Sequence, residues 1–383
     1  MTLMDYRVRV IRDKPGLLHL KDAWERLLAR SNATIFASHP WALAWWHAFG
    51  SDKQLYILVA TDPSGDVLGI APLMLGRLGP LRRLEIIGTG LGDAGDFLLD
   101  PDHAIPVATS IFAHLRRLRR EWDLLDLDEV PPYSPLAVWL QSDKPLGQHI
   151  IRLPRTDAPY VSLPTTWEEY IATLQRKPRQ HLESFAKRVI KEEGISYRSV
   201  TTEQEATSAV DRFYALHRAR WETKTTSLNA EHIAPAFLPF LEELCARAAA
   251  SNYLRISELL AGDTVISSWI SFQVNGRLNG YMTGFDPAYS KVRPGKLLHR
   301  FVVRQALEEH ATELDFGRGD EEYKFEMGAV HRHNARFILA NNTPRSLISL
   351  TAMKLRQQAR TLIRTLRPTP NKQQLSLNQE PSS

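Results

Sequence analysis

Three cations, Lys291, Arg293 and Lys296, stand around Pro294-Gly295 in the stretch SKVRPGK. Ahead of it, Arg277 to Gly284 reads as a strand with Tyr281 near its middle, and Phe285-Asp286-Pro287-Ala288-Tyr289 reads as a turn. Beyond it, from Gly295 to about Glu309, Leu298, Val302 and Ala306 recur at helical spacing, with Val303 and Leu307 beside them. Pro294 suits a first helical turn. The first amides of such a helix are unpaired and carry the positive end of its dipole, and Gly295 lets a ligand come close to the backbone. Together with the three cations this favours a phosphate or pyrophosphate. The plainer alternative is an ordinary crossover with a basic surface loop. After the helix, Glu313 to Phe316 reads as a second strand and Gly317-Arg318-Gly319-Asp320 as a loop. A strand–loop–helix–strand unit predicts that its two strands run parallel.

The elements around this unit must come from a chain of 383 residues, enough for one large or two ordinary domains. Hydrophobic residues at 43% and charged ones at 24% are ordinary for a globular protein. A formal charge of +5 suits an anionic ligand without calling for nucleic acid. The single cysteine, Cys245, excludes an intrachain disulfide and a cysteine-built metal site, and no metal is expected. It lies in the helical stretch FLEELCARAAA and reads as a small core residue. The N-terminus lacks a signal-peptide core, and no stretch approaches eighteen apolar residues, so the expected location is the cytoplasm.

Taken in order, residues 6–12 alternate as a strand and Leu18 to Leu28 reads as a helix. Ser38-His39-Pro40 caps a helix from Trp41 to Phe49, in which Trp41 and Trp45 share a face, either as a stacking surface for a sugar or base or as packed core. A hairpin joins 54–61 to 67–75, and 82–88 adds a strand. The string GTGLGDAGD, Gly88 to Asp96, is followed by a strand-like run rather than a helix, which excludes a dinucleotide fold. Val107 to Arg120 is a helix, Trp122 to Asp128 a strand, and 141–158 reads as a linker. Residues 176–193 form a basic helix broken at Pro178, either a site for a phosphate-bearing acceptor or a solvated face. Residues 203–224 form a long helix with His217, Arg220 and Trp221 near its end. A last amphipathic helix, Ser346 to Leu366, overlaps a stretch, 351–372, with six Lys or Arg and no acid, which suits an anionic membrane surface or a partner apparatus. The final residues are polar and expected to be disordered.

The order of elements repeats. Gly65-Asp66 introduces paired strands, a helix and Leu125-Asp126-Leu127-Asp128, and Gly262-Asp263 introduces paired strands, a helix and Leu314-Asp315-Phe316. This suggests two copies of one α/β module, residues 1–145 and 146–345, followed by a tail, 346–383. The first copy has Asp102-His103-Ala104-Ile105-Pro106 where the second has Pro-Gly-Lys, so ligand chemistry is expected in the second, with the first shaping an acceptor cleft.

FDPAYSKVRPGKLL resembles the coenzyme A-binding stretch of the GNAT acyltransferases, where a strand ending in V-D-P leads into a Gly-rich basic loop and a helix; here the loop has only Gly295 beside Pro294. Pro-Gly-Lys-Leu-Leu with ELDFGRGDEEYK downstream, and FASHPWALAWWHAFG near the N-terminus, is similar to the CelD-type acetyltransferases of bacterial polysaccharide loci, related to the FemAB transferases. The resemblance implies two tandem GNAT-like modules, each a mixed twisted sheet with flanking helices. It implies acyl-CoA, acetyl-CoA in the first place, held by Lys291, Arg293, Pro294, Gly295, Lys296 and Leu297. The acyl group would pass to an amine or hydroxyl of a small or saccharide acceptor in polysaccharide or envelope synthesis, with the protein in the cytoplasm or peripheral at the inner membrane face. In such a module the parallel strands splay, the thioester lies in the gap, and backbone amides ahead of Pro294 hold the oxyanion. Asp320 is then the candidate base, with His217 next; Tyr323 would donate to the departing thiolate and Lys324 orient an anionic acceptor. Arg220, Trp221, Tyr281 and Arg318 complete the acceptor-side set. The alternative for Asp320 is a surface turn paired with Arg318. Two rival functions stand beside this one: a FemAB-like transferase using aminoacyl-tRNA, and a non-catalytic protein binding nucleic acid or an anionic surface through its basic helices.

Overall fold

The computed structural model describes residues 6–142, 149–222, 234–341, 343–351 and 353. Fourteen strands are described: β1 (Arg7–Ile11), β2 (Gln54–Thr61), β3 (Val67–Leu78), β4 (Leu81–Ile86), β5 (Leu98–Leu99), β6 (Leu124–Val130), β7 (His149–Asp157), β8 (Tyr160–Ser162), β9 (Ile195–Val200), β10 (Leu254–Ala261), β11 (Thr264–Val274), β12 (Arg277–Phe285), β13 (Glu313–Asp315) and β14 (His333–Ala340). The helices are α1 (Lys14–His19), α2 (Lys21–Arg30), α3 (His39–Phe49), α4 (Ala104–Arg117), α5 (Pro135–Gln141), α6 (Trp167–Thr173), α7 (Arg176–Gln180), α8 (Ala186–Glu192), α9 (Glu203–Glu222), α10 (Phe237–Ala250), α11 (Pro294–Glu308) and α12 (Glu322–Glu326).

The strands form two sheets, ordered β1-β2-β3-β4-β6-β14-β7, with β5 against β3, and β9-β10-β11-β12-β13-β8. In each, one pair is parallel, β4 with β6 and β12 with β13, and every other pair is antiparallel. The parallel pairs are those joined through α4 and α11, since a strand that continues in the same direction needs a crossover. The fold is therefore the expected α/β repeat of two GNAT-like modules.

The strands are shared differently from the expected boundary at 145/146. β7 and β14, both from the second half of the chain, complete the first sheet, and β14 lies between β6 and β7. The stretch expected as a linker, 141–158, thus contains a nine-residue strand. Pro178 does not break its helix. It sits in the first turn of α7, where a missing N–H costs nothing, and a π-helical turn, His181–Phe185, carries the chain on into α8. The last expected helix, 346–366, lies largely outside the described residues. Among the described residues, no helix is long and apolar enough to cross a membrane.

One continuous core joins the modules. It takes Trp24 and Leu27 from α2, Trp41 and Trp45 from α3, Ile57 and Val59 from β2, Phe213 from α9, Phe240 and Leu244 from α10, and Ile256, Ile270 and Phe272 from the second sheet. Trp41 packs edge-on against Phe36, Phe240 and Tyr281 at 4.8, 5.4 and 5.6 Å between centroids, and Trp45 is buried beside it, so Trp41 and Trp45 are core and not a stacking surface. Cys245 is buried in the same core. The outer face of the second sheet packs against α6, α8 and α11 through Tyr170, Val189, Leu298, Val302 and Ala306.

Candidate active site

The helical stripe Leu298, Val302, Val303, Ala306 and Leu307 is buried against the second sheet, which fixes α11 and sets its N-terminus beside the end of β12. A short 3₁₀ turn, Pro287–Val292, precedes it, capped by the Asp286 carboxylate accepting from the Ala288 amide at 2.9 Å. Arg293 is left-handed, φ 51° and ψ 57°, and this sharp corner turns the chain into the helix. The Arg293 amide bonds to the Ser290 carbonyl and the Leu297 amide to that of Arg293. Pro294 has no N–H, so the amides of Gly295 and Lys296 are the open donors at this end. They border a cavity of about 310 Å³ whose walls include Thr283, Phe285, Arg293, Pro294, Gly295 and Lys296, with Trp269, His299 and Tyr323 further along. A Cβ built on Gly295 meets nothing within 4 Å, so the protein leaves that space open. The field there is positive: burial first, then Arg293 and Lys296, pushes His181 down to about 4. Lys296 is paired with Glu326 of α12.

β12 and β13 pair from Arg277↔Glu313 to Asn279↔Asp315 and then part. The parting is crowded by close neighbours. A Cβ on Gly280 would lie 2.6 Å from the Trp269 ring, and one on Gly317 would lie 3.1 Å from the Gly280 carbonyl and 2.5 Å from Asp93 Oδ2. Only glycine fits at either position. A shift in register between Ile270 and Ser271 marks a bulge in β12 beside Tyr281. The first module therefore reaches into the gap between the strands through its loop 88–96. Arg318 holds that loop, donating from Nε to Asp93 Oδ1 at 2.6 Å and from Nη2 to the Gly90 carbonyl at 3.0 Å. Asn334 adds a bond from Nδ2 to the Asp93 carbonyl at 2.9 Å. Glu129, at the end of β6 in the same junction, is pushed up to about 7 by burial, against the opposing pull of Arg318.

Several expected residues meet at this site and others do not. Arg293, Pro294, Gly295, Lys296 and Tyr323 line the cavity. Lys291 is exposed and lies off the cavity wall, and Leu297 is 1% exposed and belongs to the core. Lys324 does not face an acceptor: its ammonium donates to the carbonyls of Arg318, Gly319 and Gly317 at 2.8, 3.1 and 3.3 Å and pairs with Glu321 at 2.9 Å. It holds the loop instead. Asp320 is exposed, outside the cavity wall, and Arg318 is occupied by Asp93 rather than by Asp320. Tyr281 lies in the aromatic core, in contact with Phe36 and Trp41. His217 is buried, its Nδ1 3.3 Å from the Thr283 carbonyl of β12. The side chains of Arg220 and Trp221 lie outside the described residues. Asp93, Trp269 and His299 are the site residues that the sequence reading passed over. For His299 a signal existed, a polar side chain on the apolar stripe of α11; for Asp93 nothing local shows where its loop docks.

Residues 176–325 match the family model of the acetyltransferase (GNAT) domain. That stretch resembles a GNAT-type acyltransferase domain, and it holds the cavity, α11 and the parting strands. No curated protein sequence matches the chain. Among solved structures, the chain is similar to FemX, at 10% identity and a TM-score of 0.64 over 86% of this chain and 98% of that one. It is similar to L-PGS from Bacillus licheniformis, at 12% identity and 0.54 over 90% and 96%. It also resembles a conserved protein of unknown function from Bacteroides thetaiotaomicron, at 12% and 0.55 over 87% and 100%. At such identities the likeness is one of fold, and it extends over both modules.

Proposed function

We propose that this protein transfers an acyl group, acetyl in the simplest case, from acyl-coenzyme A to an amine or hydroxyl of a saccharide or other cell-envelope acceptor. The observation that carries the reading is the cavity of about 310 Å³ that begins at the open amides and cations of the α11 N-terminus and extends to Trp269. A helix N-terminus of this kind suits a pyrophosphate, and the cavity beyond it gives an extended arm a path toward the parting of β12 and β13. The acceptor enters at the junction of the modules, where Asp93 stands. Its nucleophile forms the new C–N or C–O bond as the C–S bond breaks; the acceptor's proton passes to a carboxylate, and the departing thiolate takes up a proton. Asp93 is the carboxylate at the gap and Asp320 the one on the outer loop; Tyr323, in the cavity wall, is the candidate donor to the thiolate. The polysaccharide setting rests on the motifs FASHPW and PGKLL together with FGRGDEEYK.

An aminoacyl ester donor is the second reading, supported by the likeness of fold to FemX across both modules. Thermal melting separates the two. Acetyl-CoA should raise the melting temperature progressively with its concentration, as any ligand that binds only the folded state does. A melting temperature indifferent to acetyl-CoA but raised by aminoacyl-tRNA would reverse the order of the readings.

A further inference from the structure

His299 projects from the second turn of α11 into the wall of the donor cavity and is 2% exposed. Its ring is layered with Phe316, at 5.3 Å between centroids and 11° between planes, and with Trp269, at 6.0 Å and 23°. A phenylalanine would fill this slot as well, so packing alone does not account for an imidazole. The hydrogen bonds fix which nitrogen carries the proton. Tyr170 has one hydroxyl proton and donates it to the Met327 carbonyl at 2.9 Å. His299 Nε2, 3.1 Å from the same oxygen, must therefore be the donor of that contact. A neutral ring then has its lone pair on Nδ1, and Nδ1 has no hydrogen-bond partner among the described residues. Burial pushes His299 down to about 3, so the ring stays neutral across the physiological range. A buried acceptor left unpaired costs free energy, and that cost is recovered only if something in the cavity donates to it.

We propose that His299 is a positioning residue for the donor, its Nδ1 accepting a hydrogen bond from an amide N–H of the donor's arm. This rests on the donor reading above and deepens it: the arm must carry an amide, as a pantetheine-type thioester does and a simple ribose ester does not. Tyr170 acts through His299, by holding the tautomer in which Nδ1 is the acceptor. The contact orders the arm along α11 and so sets where the thioester lies.

Nitrogen-15 NMR of the uniformly labelled whole chain, read at the His299 ring and at the Gly295 amide, tests this with acetyl-CoA and with adenosine 3′,5′-bisphosphate, which lacks the arm. The free protein should show His299 protonated on Nε2 at pH 7. Acetyl-CoA should move its Nδ1 resonance upfield, and the bisphosphate should not, although both move the Gly295 amide. A Gly295 amide that responds to acetyl-CoA while Nδ1 stays still overturns the proposal and leaves the donor reading intact. A Gly295 amide that responds to neither removes both. His299→Phe keeps the ring stack and removes the acceptor. It should raise the KM for acetyl-CoA about tenfold, the worth of one hydrogen bond, with kcat held within about twofold. An unchanged KM in a variant that melts like the wild type contradicts the assignment.

Discussion

Lys324 is 2% exposed, and its ammonium is bonded to three carbonyls of the loop that follows β13. Lys324→Met would leave those carbonyls unpaired in a buried place, at a cost of about 3 kcal/mol. Urea unfolding should show a lower midpoint at an unchanged slope; a midpoint equal to wild type would return Lys324 to the role of a free acceptor contact. The two carboxylates near the gap separate in the same way. Asp93 lies at the parting of the strands, 13% exposed and paired with Arg318, whereas Asp320 is exposed outside the cavity. Asp93→Asn should lower kcat about a hundredfold, within the range of a lost general base, while acetyl-CoA affinity is kept. Asp320→Asn should stay within about twofold of wild type. The opposite ranking of the two variants in steady-state kinetics would restore Asp320 as the base. A melting curve of each is the control, because Asp93 also ties the loop to Arg318.

At the scale of elements, the loop 88–96 is held by a buried acid at its end. Asp96 accepts from Ser134 Oγ at 2.6 Å and from the Phe97 amide at 2.8 Å, and burial pushes it up to about 7. In the unfolded chain it titrates near the ordinary carboxylate value of about 4. The folded state thus holds a proton that the unfolded state has lost between about pH 4 and pH 7. Its stabilising contribution is complete below that window and is lost as pH rises through it. Melting temperatures should therefore fall from pH 5 to pH 8, and Asp96→Asn, which mimics the protonated form, should flatten the fall; Glu129, raised likewise, leaves a residual slope. An equally steep fall in the variant would show that Asp96 is not its source. These elements differ in how well the sequence announces them. The stripe Leu298, Val302, Ala306 and the turn at Pro294 are local patterns, and α11 follows them closely. Gly317 and Gly280 are glycines because of what packs against them, Asp93 of the first module and the Trp269 ring of the neighbouring strand β11, and no spacing along the chain records that. Lys324 reads as a loop cation until the carbonyls it binds are seen.

For the whole molecule, the chain crosses between its two sheets more than once. β14 supplies a strand between β6 and β7, and the core around Trp41, Phe213 and Phe240 is built from both modules. Residues 1–145 expressed alone would lack β7 and β14 and expose the edge of β6, an invitation to aggregate. Size exclusion and circular dichroism should show no cooperative, monomeric fold; a soluble monomer with a sharp melt would contradict this. The repeat was visible because both modules keep one order of strands and helix. The exchange of β7 and β14 was not, because pairing partners far apart in sequence leave no periodic trace in either strand. The cavity at the α11 N-terminus is where the sequence pattern, the fold and the family match converge. The most direct test is calorimetric titration of acetyl-CoA into the wild type and into Gly295→Asp, which sets a carboxylate in space the protein leaves open. One donor should bind per chain of the wild type, and the variant should lose affinity at least tenfold with an unchanged melting temperature. Equal affinity in both proteins, or no binding to the wild type, would contradict the donor reading.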